Sequence, residues 1–158
     1  MKRTDYTVRK ITVNELPRLT ELFDYNDIDA MLSENTNLIQ NGTMDIFILL
    51  EGEKLIGELH VSYESEDRLE AVKGVRAYLS AYRIHKDFQG MGLGKFLMKS
   101  VLDTLAAEGY SEFTVGVEDD NDRAFHIYKE FGFSEIVARK YEEYQGDGYE
   151  YNLYLKRL

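Results

Sequence analysis

The chain has 158 residues, 30% charged and 44% hydrophobic, with no cysteine and a formal net charge of −10. This length suits a single domain, 1–158, able to bury roughly 70% of its unfolded-chain surface without staples. The lack of Cys excludes disulfide frameworks, thiolate metal sites and a cysteinyl acyl-enzyme. The acidic balance argues against extended nucleic-acid or anionic-membrane binding and would instead draw in cationic partners. Met1-Lys2-Arg3-Thr4-Asp5 leads into a strand pattern with no apolar signal region, and no run approaches the ~20 residues of a membrane helix, so the expected location is cytoplasmic.

Tyr6 to Ile11 alternates as a strand. From Val13, apolar Leu16, Leu19 and Phe23 recur at helical spacing, with Asn14 the expected cap and Pro17 near the first turn. The acidic stretch Asp24 to Asp29 is irregular and precedes a short helix through Met31 and Leu38. Asp45 to Leu50 and Leu55 to Tyr63 read as strands joined by a turn at Glu51-Gly52-Glu53-Lys54, with Ser65 to Leu69 a loop. Val75 to Ile84 is a longer strand. Gly94 to Ala107 is a helix with Leu97, Val101 and Leu105 on one face and Gly109 past its end. Phe113 to Val117 is a strand, and Asp119 to Asp122 opens a helix from Arg123 to about Phe131, stopped at Gly132. Val137 to Tyr144 and Tyr149 to Leu155 are strands joined across Gln145-Gly146-Asp147-Gly148. The order predicts an α+β fold with one mixed central sheet, helices on both faces and a parallel strand pair in its middle.

The most informative segment runs from Ile84 to Lys95, where Gly90, Gly92 and Gly94 alternate between a strand and a helix start. Glycine admits left-handed backbone and close approach, and the helix start offers N–H groups, so the turn suits a phosphate or pyrophosphate. It is neither of two familiar nucleotide cradles. Gln89 and Phe96 stand where a P-loop needs Gly and a hydroxyl, and no glycine completes a dinucleotide fingerprint.

The run Gln89-Gly90-Met91-Gly92-Leu93-Gly94 resembles the Q/R-x-x-G-x-G/A motif of the GNAT superfamily. The likeness continues through Asn121, Arg123-Ala124, Tyr128 and Phe131-Gly132-Phe133, in order and spacing. This resemblance implies a GNAT-like acyl-CoA N-acyltransferase fold and acetyl-CoA as co-substrate. It also implies that backbone amides from Gln89 to Lys95 hold the pyrophosphate. By position, Tyr82, Arg83 and Ile84 form a strand edge that pairs with the pantetheine arm, the Ile84 N–H polarising the acetyl carbonyl. Asn121 matches a contact to that arm, and Tyr128 matches the tyrosine beside the departing sulfur. Lys86, Lys95 and Lys99 add local positive charge.

Without Cys, the expected chemistry is direct acetyl transfer to an amine, a small molecule or a protein N-terminus, in a ternary complex. An ordinary tyrosine titrates near ~10 and a thiol near ~8.5, so Tyr128 is expected to donate a hydrogen bond to the leaving thiolate more than a full proton. The ribosomal-protein N-terminal acetylases carry a Glu five residues before the Asn, and Gly116 stands there instead. Glu118 is the base candidate, with Glu58, His60 and Glu64 sharing a face of the third strand. His85 and His126 read as surface or packing residues. The three His show no metal-ligand spacing, and no metal is expected. The expected acceptor is cationic and lies against Asp24 to Asp29, and a homodimer is allowed. The alternative is a non-catalytic acyl-CoA-binding or sensor module on the same scaffold. Tyr128 favours the enzyme over it.

Overall fold

The computed structural model describes residues 5–144 and 146–158. Met1 to Thr4, and Gln145 at the start of the last expected turn, lie outside the described residues. Among the described residues the strands are β1 (Tyr6–Lys10), β2 (Met44–Glu51), β3 (Lys54–Ser62), β4 (Arg76–Ile84), β5 (Glu112–Val117), β6 (Glu135–Tyr144) and β7 (Asp147–Arg157). The α-helices are α1 (Ile28–Gln40), α2 (Leu93–Ala107) and α3 (Asp122–Glu130). The strands form one mixed sheet in the order β1-β2-β3-β4-β5-β7-β6, with β4 and β5 as its parallel pair. Among the described residues no helix is long and apolar enough to cross a membrane. The chain divides into two compact units, Met1–Val61 with Ala81–Ala107, and Ser62–Ser80 with Glu108–Leu158.

In the first unit, Val13–Glu21 is a 3-10 helix, not an α-helix. Val13, Leu16, Leu19 and Leu22 recur every third residue, which is its period. Its cap is Thr12, not Asn14: the Thr12 N–H and hydroxyl both donate to Glu15 Oε1, at 2.9 and 3.0 Å. Phe23 stands beyond its end. The helix after the acidic stretch, α1, is thirteen residues long, more than the short helix expected, and Asp27 caps it by accepting from the Ala30 N–H at 2.9 Å. Leu16, Leu19 and Met31 pack with Ile46, Ile48, Leu50 and Leu55 in one buried core. Each fully buried aliphatic side chain contributes about 1.5–3 kcal/mol.

Phe47 and Leu49 alternate with that set on β2 and are buried too, and α2 packs against β1 and β2. Both faces of β2 are therefore covered. The helix buries Leu97, Val101 and Leu105 as expected, together with Leu93, Met98 and Leu102.

In the second unit, β4 pairs with β5 from Arg76↔Glu112 to Leu79↔Val115, and β5 pairs antiparallel with β7. Phe113 and Val115 are fully buried. Thr114, buried between them, donates its hydroxyl to the Glu70 carbonyl at 2.7 Å, which satisfies its one polar group. The final hairpin is longer than its hydrophobic pattern suggests. β6 begins at Glu135, absorbs an irregularity between Ile136 and Ala138, and pairs with β7 up to Tyr144↔Asp147.

Candidate functional site

The first unit contains the glycine turn. Gly90 and Gly92 adopt φ of 79° and 77°, which side chains with a Cβ rarely tolerate. Gly94 serves another purpose: a Cβ there would lie 2.9 Å from the Tyr82 hydroxyl, which donates to the Gly94 carbonyl. Tyr82 thus ties the end of β4 to the start of α2. The helix begins at Leu93, one residue earlier than expected, and its ladder opens with the Phe96 N–H donating to the Gly92 carbonyl at 3.1 Å. A helix start directs N–H groups outward, and space is open beside Gly90, so the turn fits a phosphate-bearing ligand. Leu93 is buried, so its part in such a cradle falls to its backbone.

The turn is braced by its own polar groups. Gln89 Nε2 donates to the Ile84 carbonyl at 3.0 Å, and the Asp87 N–H donates to His85 Nδ1 at 3.1 Å. The His85 N–H donates to the Ile56 carbonyl at 2.7 Å, fixing the end of β4 to β3. Beside this lies a cavity of about 340 Å³ lined by Glu21, Phe23, Asp24, Ile84, Lys86 and Gln89, among others. Of the other two lysines singled out, Lys99 pairs with Asp103 at 2.9 Å on the exposed face of α2.

The Arg83 side chain, on β4, meets Phe23 and Glu58. Its guanidinium lies 3.8 Å from the centroid of the Phe23 ring, a contact worth about 0.5–2 kcal/mol. Its Nη1 is 3.4 Å from Oε2 of Glu58, which is fully buried. The other Glu58 oxygen is 2.6 Å from His60 Nε2. Sequence parity places Glu58 and His60 on one face but carries no signal for Arg83 as their partner on the next strand. Ala81 holds φ of 51° within β4, a conformation costing about 1–2 kcal/mol for a residue with a Cβ.

In the second unit Asn121 caps α3, its Oδ1 accepting from the Ala124 N–H at 3.1 Å. Tyr128, near the end of that helix, is buried with its ring edge-on to Phe133 at 5.7 Å. Burial pushes its phenol well above the ordinary tyrosine range. Glu118 follows β5 and is exposed, its carbonyl accepting from the Asn121 N–H at 3.1 Å. Gly116 faces the Tyr151 ring. The sequence gives no hint of the polar cluster around that ring. Tyr149 donates to Glu142 at 3.0 Å, and Lys140 bonds Asp67 and Glu70. Burial, then Glu70 and Glu142, push the Tyr151 phenol up to about 12. Among the described residues no group of three or more His, Cys, Asp or Glu could hold a metal ion.

A family model described as the Acetyltransferase (GNAT) family matches residues 11–133. The chain belongs to the GNAT acetyltransferase family. Among curated proteins it is 49% identical over 45 residues to the mycothiol acetyltransferase of Gordonia bronchialis, covering 28% of this chain and 15% of that one. It is 29% identical over 65 residues to the thialysine N-epsilon-acetyltransferase of Bos taurus, covering 41% of this chain and 38% of that one. The matched stretches therefore span less than half of these relatives. In fold, the GNAT chain is similar to a spermidine N-acetyltransferase from Vibrio cholerae, with a TM-score of 0.74, 17% identity and coverage of 98% and 94%. It is also similar to yncA from Salmonella typhimurium, solved with its cofactor acetyl-CoA, with a TM-score of 0.69, 18% identity and coverage of 97% and 94%.

Proposed function

We propose that this GNAT chain is an N-acetyltransferase that moves the acetyl group of acetyl-CoA directly to a cationic amine. The observation that carries the reading is the turn in which Gly90 and Gly92 are both left-handed and feed the start of α2. Its amides, from Gln89 to Lys95, would hold the pyrophosphate, and the Tyr82 to Ile84 edge of β4 would pair with the pantetheine. Names among the relatives and structural neighbours, thialysine and spermidine N-acetyltransferase, describe transfer to nitrogen and support an amine acceptor.

In the transfer, the amine nitrogen bonds to the thioester carbon, the carbon–sulfur bond breaks, and coenzyme A leaves as its thiolate. Tyr128 donates a hydrogen bond to that thiolate. Its phenol, raised by burial, stays protonated and neutral throughout. The nitrogen loses its proton to water or to Glu118. Alignment of the two substrates supplies about 7–11 kcal/mol of the barrier reduction in favourable cases.

The acidic stretch gives the acceptor its charge preference. Asp24 lines the cavity beside the turn, and Asp29 is exposed in the first turn of α1, whereas Asp27 is committed to capping that helix. The test is kcat/KM for the best amine of an acceptor screen, at low and high salt, in wild type, Asp24→Asn and Asp29→Asn. The rate falls with salt and in the Asn variants if the stretch attracts the amine. Salt-independent rates with unaffected variants contradict the electrostatic claim, and a neutral or anionic best acceptor contradicts the acceptor class.

A further inference from the structure

We propose that Arg83 grips a carboxylate on the acceptor, so that the acceptor is an amine that also carries a carboxylate, as a basic amino acid does. The proposal rests on the N-acetyltransferase reading and names the acceptor of that same site.

A guanidinium has five N–H donors in a planar fork. Among the described residues Arg83 meets two groups, the face of Phe23 and the Glu58 carboxylate. The second contact is an ion pair at 3.4 Å without hydrogen-bond geometry, since Glu58 Oε2 accepts no hydrogen bond. The donors of the fork thus meet no protein acceptor, although the group itself is held. Phe23 supports it at 3.8 Å and is stacked on Tyr25 at 4.9 Å. Glu58 balances its charge from below and is anchored by His60 at 2.6 Å. The Arg83 side chain is 29% exposed, so a ligand can reach it. A fixed, charge-balanced, partly open guanidinium with unfilled donors matches a carboxylate, which takes two parallel N–H bonds from it.

The surroundings add a place for the amine. Phe23, which supports Arg83, and Ile84, which follows it, both line the cavity that also receives Glu21 and Asp24. Glu21 and Asp24 there suit an ammonium a few bonds away from the carboxylate on Arg83, while Lys86 lies in the same lining toward the glycine turn. Such an acceptor keeps the positive balance that the acidic stretch favours.

The test titrates lysine, lysinamide and cadaverine into the protein saturated with coenzyme A, and measures thiol release from acetyl-CoA with each. Lysine carries the carboxylate, lysinamide masks it and cadaverine lacks it. The expected result is a preference for lysine of at least about tenfold in both affinity and kcat/KM, the scale of an unfilled buried hydrogen-bonding site. Arg83→Gln abolishes the preference, and Arg83→Lys, which keeps the charge but not the fork, retains only part of it. Equal behaviour of the three probes in wild type, a comparison that needs no variant, overturns the proposal. A preference that survives Arg83→Gln does the same. Acetyl-CoA is first titrated into wild type alone. Failure there removes the acetyltransferase reading and this proposal with it, whereas coenzyme binding without a carboxylate preference overturns the acceptor assignment only.

Discussion

The ring of Tyr151 stands over Gly116 so closely that a Cβ on Gly116 would lie 2.6 and 2.7 Å from two of its carbons. Gly116 is the position at which the ribosomal-protein N-terminal acetylases carry a glutamate. Any side chain there must displace a buried aromatic ring, so the glycine accommodates Tyr151. Gly116→Ala is expected to cost about 1–3 kcal/mol through overpacking. In a Tyr151→Ala background the same change costs close to nothing, because the ring is gone. Urea unfolding of the four proteins of this cycle measures the coupling. Equal costs in both backgrounds contradict the packing.

Tyr128→Phe keeps the ring against Phe133 and removes only the hydroxyl. Loss of a positioned donor lowers kcat by about 10- to 1,000-fold. Affinity for acetyl-CoA changes little. The phenol is pushed up by burial, so Tyr128 stays protonated across the neutral range and contributes no alkaline limb to the profile below pH ~10. Steady-state rates with a confirmed acceptor measure both effects, and an unchanged kcat reduces Tyr128 to a packing residue.

Arg9 grips Glu15 with two hydrogen bonds, at 2.8 and 2.7 Å, and with the Thr12 N–H holds its carboxyl down to about 2. The folded value lies below the ordinary carboxylate value of ~4.3. The contribution to stability is therefore complete above that pH and lost as pH falls through about 2. The Arg9 side chain is 41% exposed, so solvent screening limits the pair to about 0.5–1 kcal/mol. Glu15→Gln is expected to lower unfolding free energy by that amount at pH 7 and by almost nothing at pH 2, in urea titrations at each pH. An equal loss at both contradicts the assignment.

The parts of the molecule legible in the sequence are those written in short-range periodicity. Leu97, Val101 and Leu105 mark α2 because a helix repeats its buried face within eight residues, and all three are fully buried. The glycine turn is legible because its backbone demand is local. The 3-10 helix is harder to read: Val13, Leu16 and Leu19 carry its period of three and Leu22 caps it, but Phe23, in the next position, completes an α-like pattern from outside it. Contacts formed by the fold leave no such mark. Glu58 meets Arg83 across 25 positions, Tyr151 covers Gly116 across 35, and Lys140 reaches Asp67 across 73. Charge and aromaticity are visible at each of those residues, but their pairing is decided by strand register.

Titration calorimetry of the wild-type protein with acetyl-CoA tests whether the Gly90–Gly92 turn makes this chain an acetyl-CoA enzyme. The expected result is saturable one-to-one binding. At about 100 times Kd it raises Tm by roughly 5–10 °C. ATP and NAD give neither effect, and Gly92→Val, which places a branched side chain at φ of 77°, abolishes the binding. A folded wild type that shows no heat and no rise in Tm with acetyl-CoA contradicts the account.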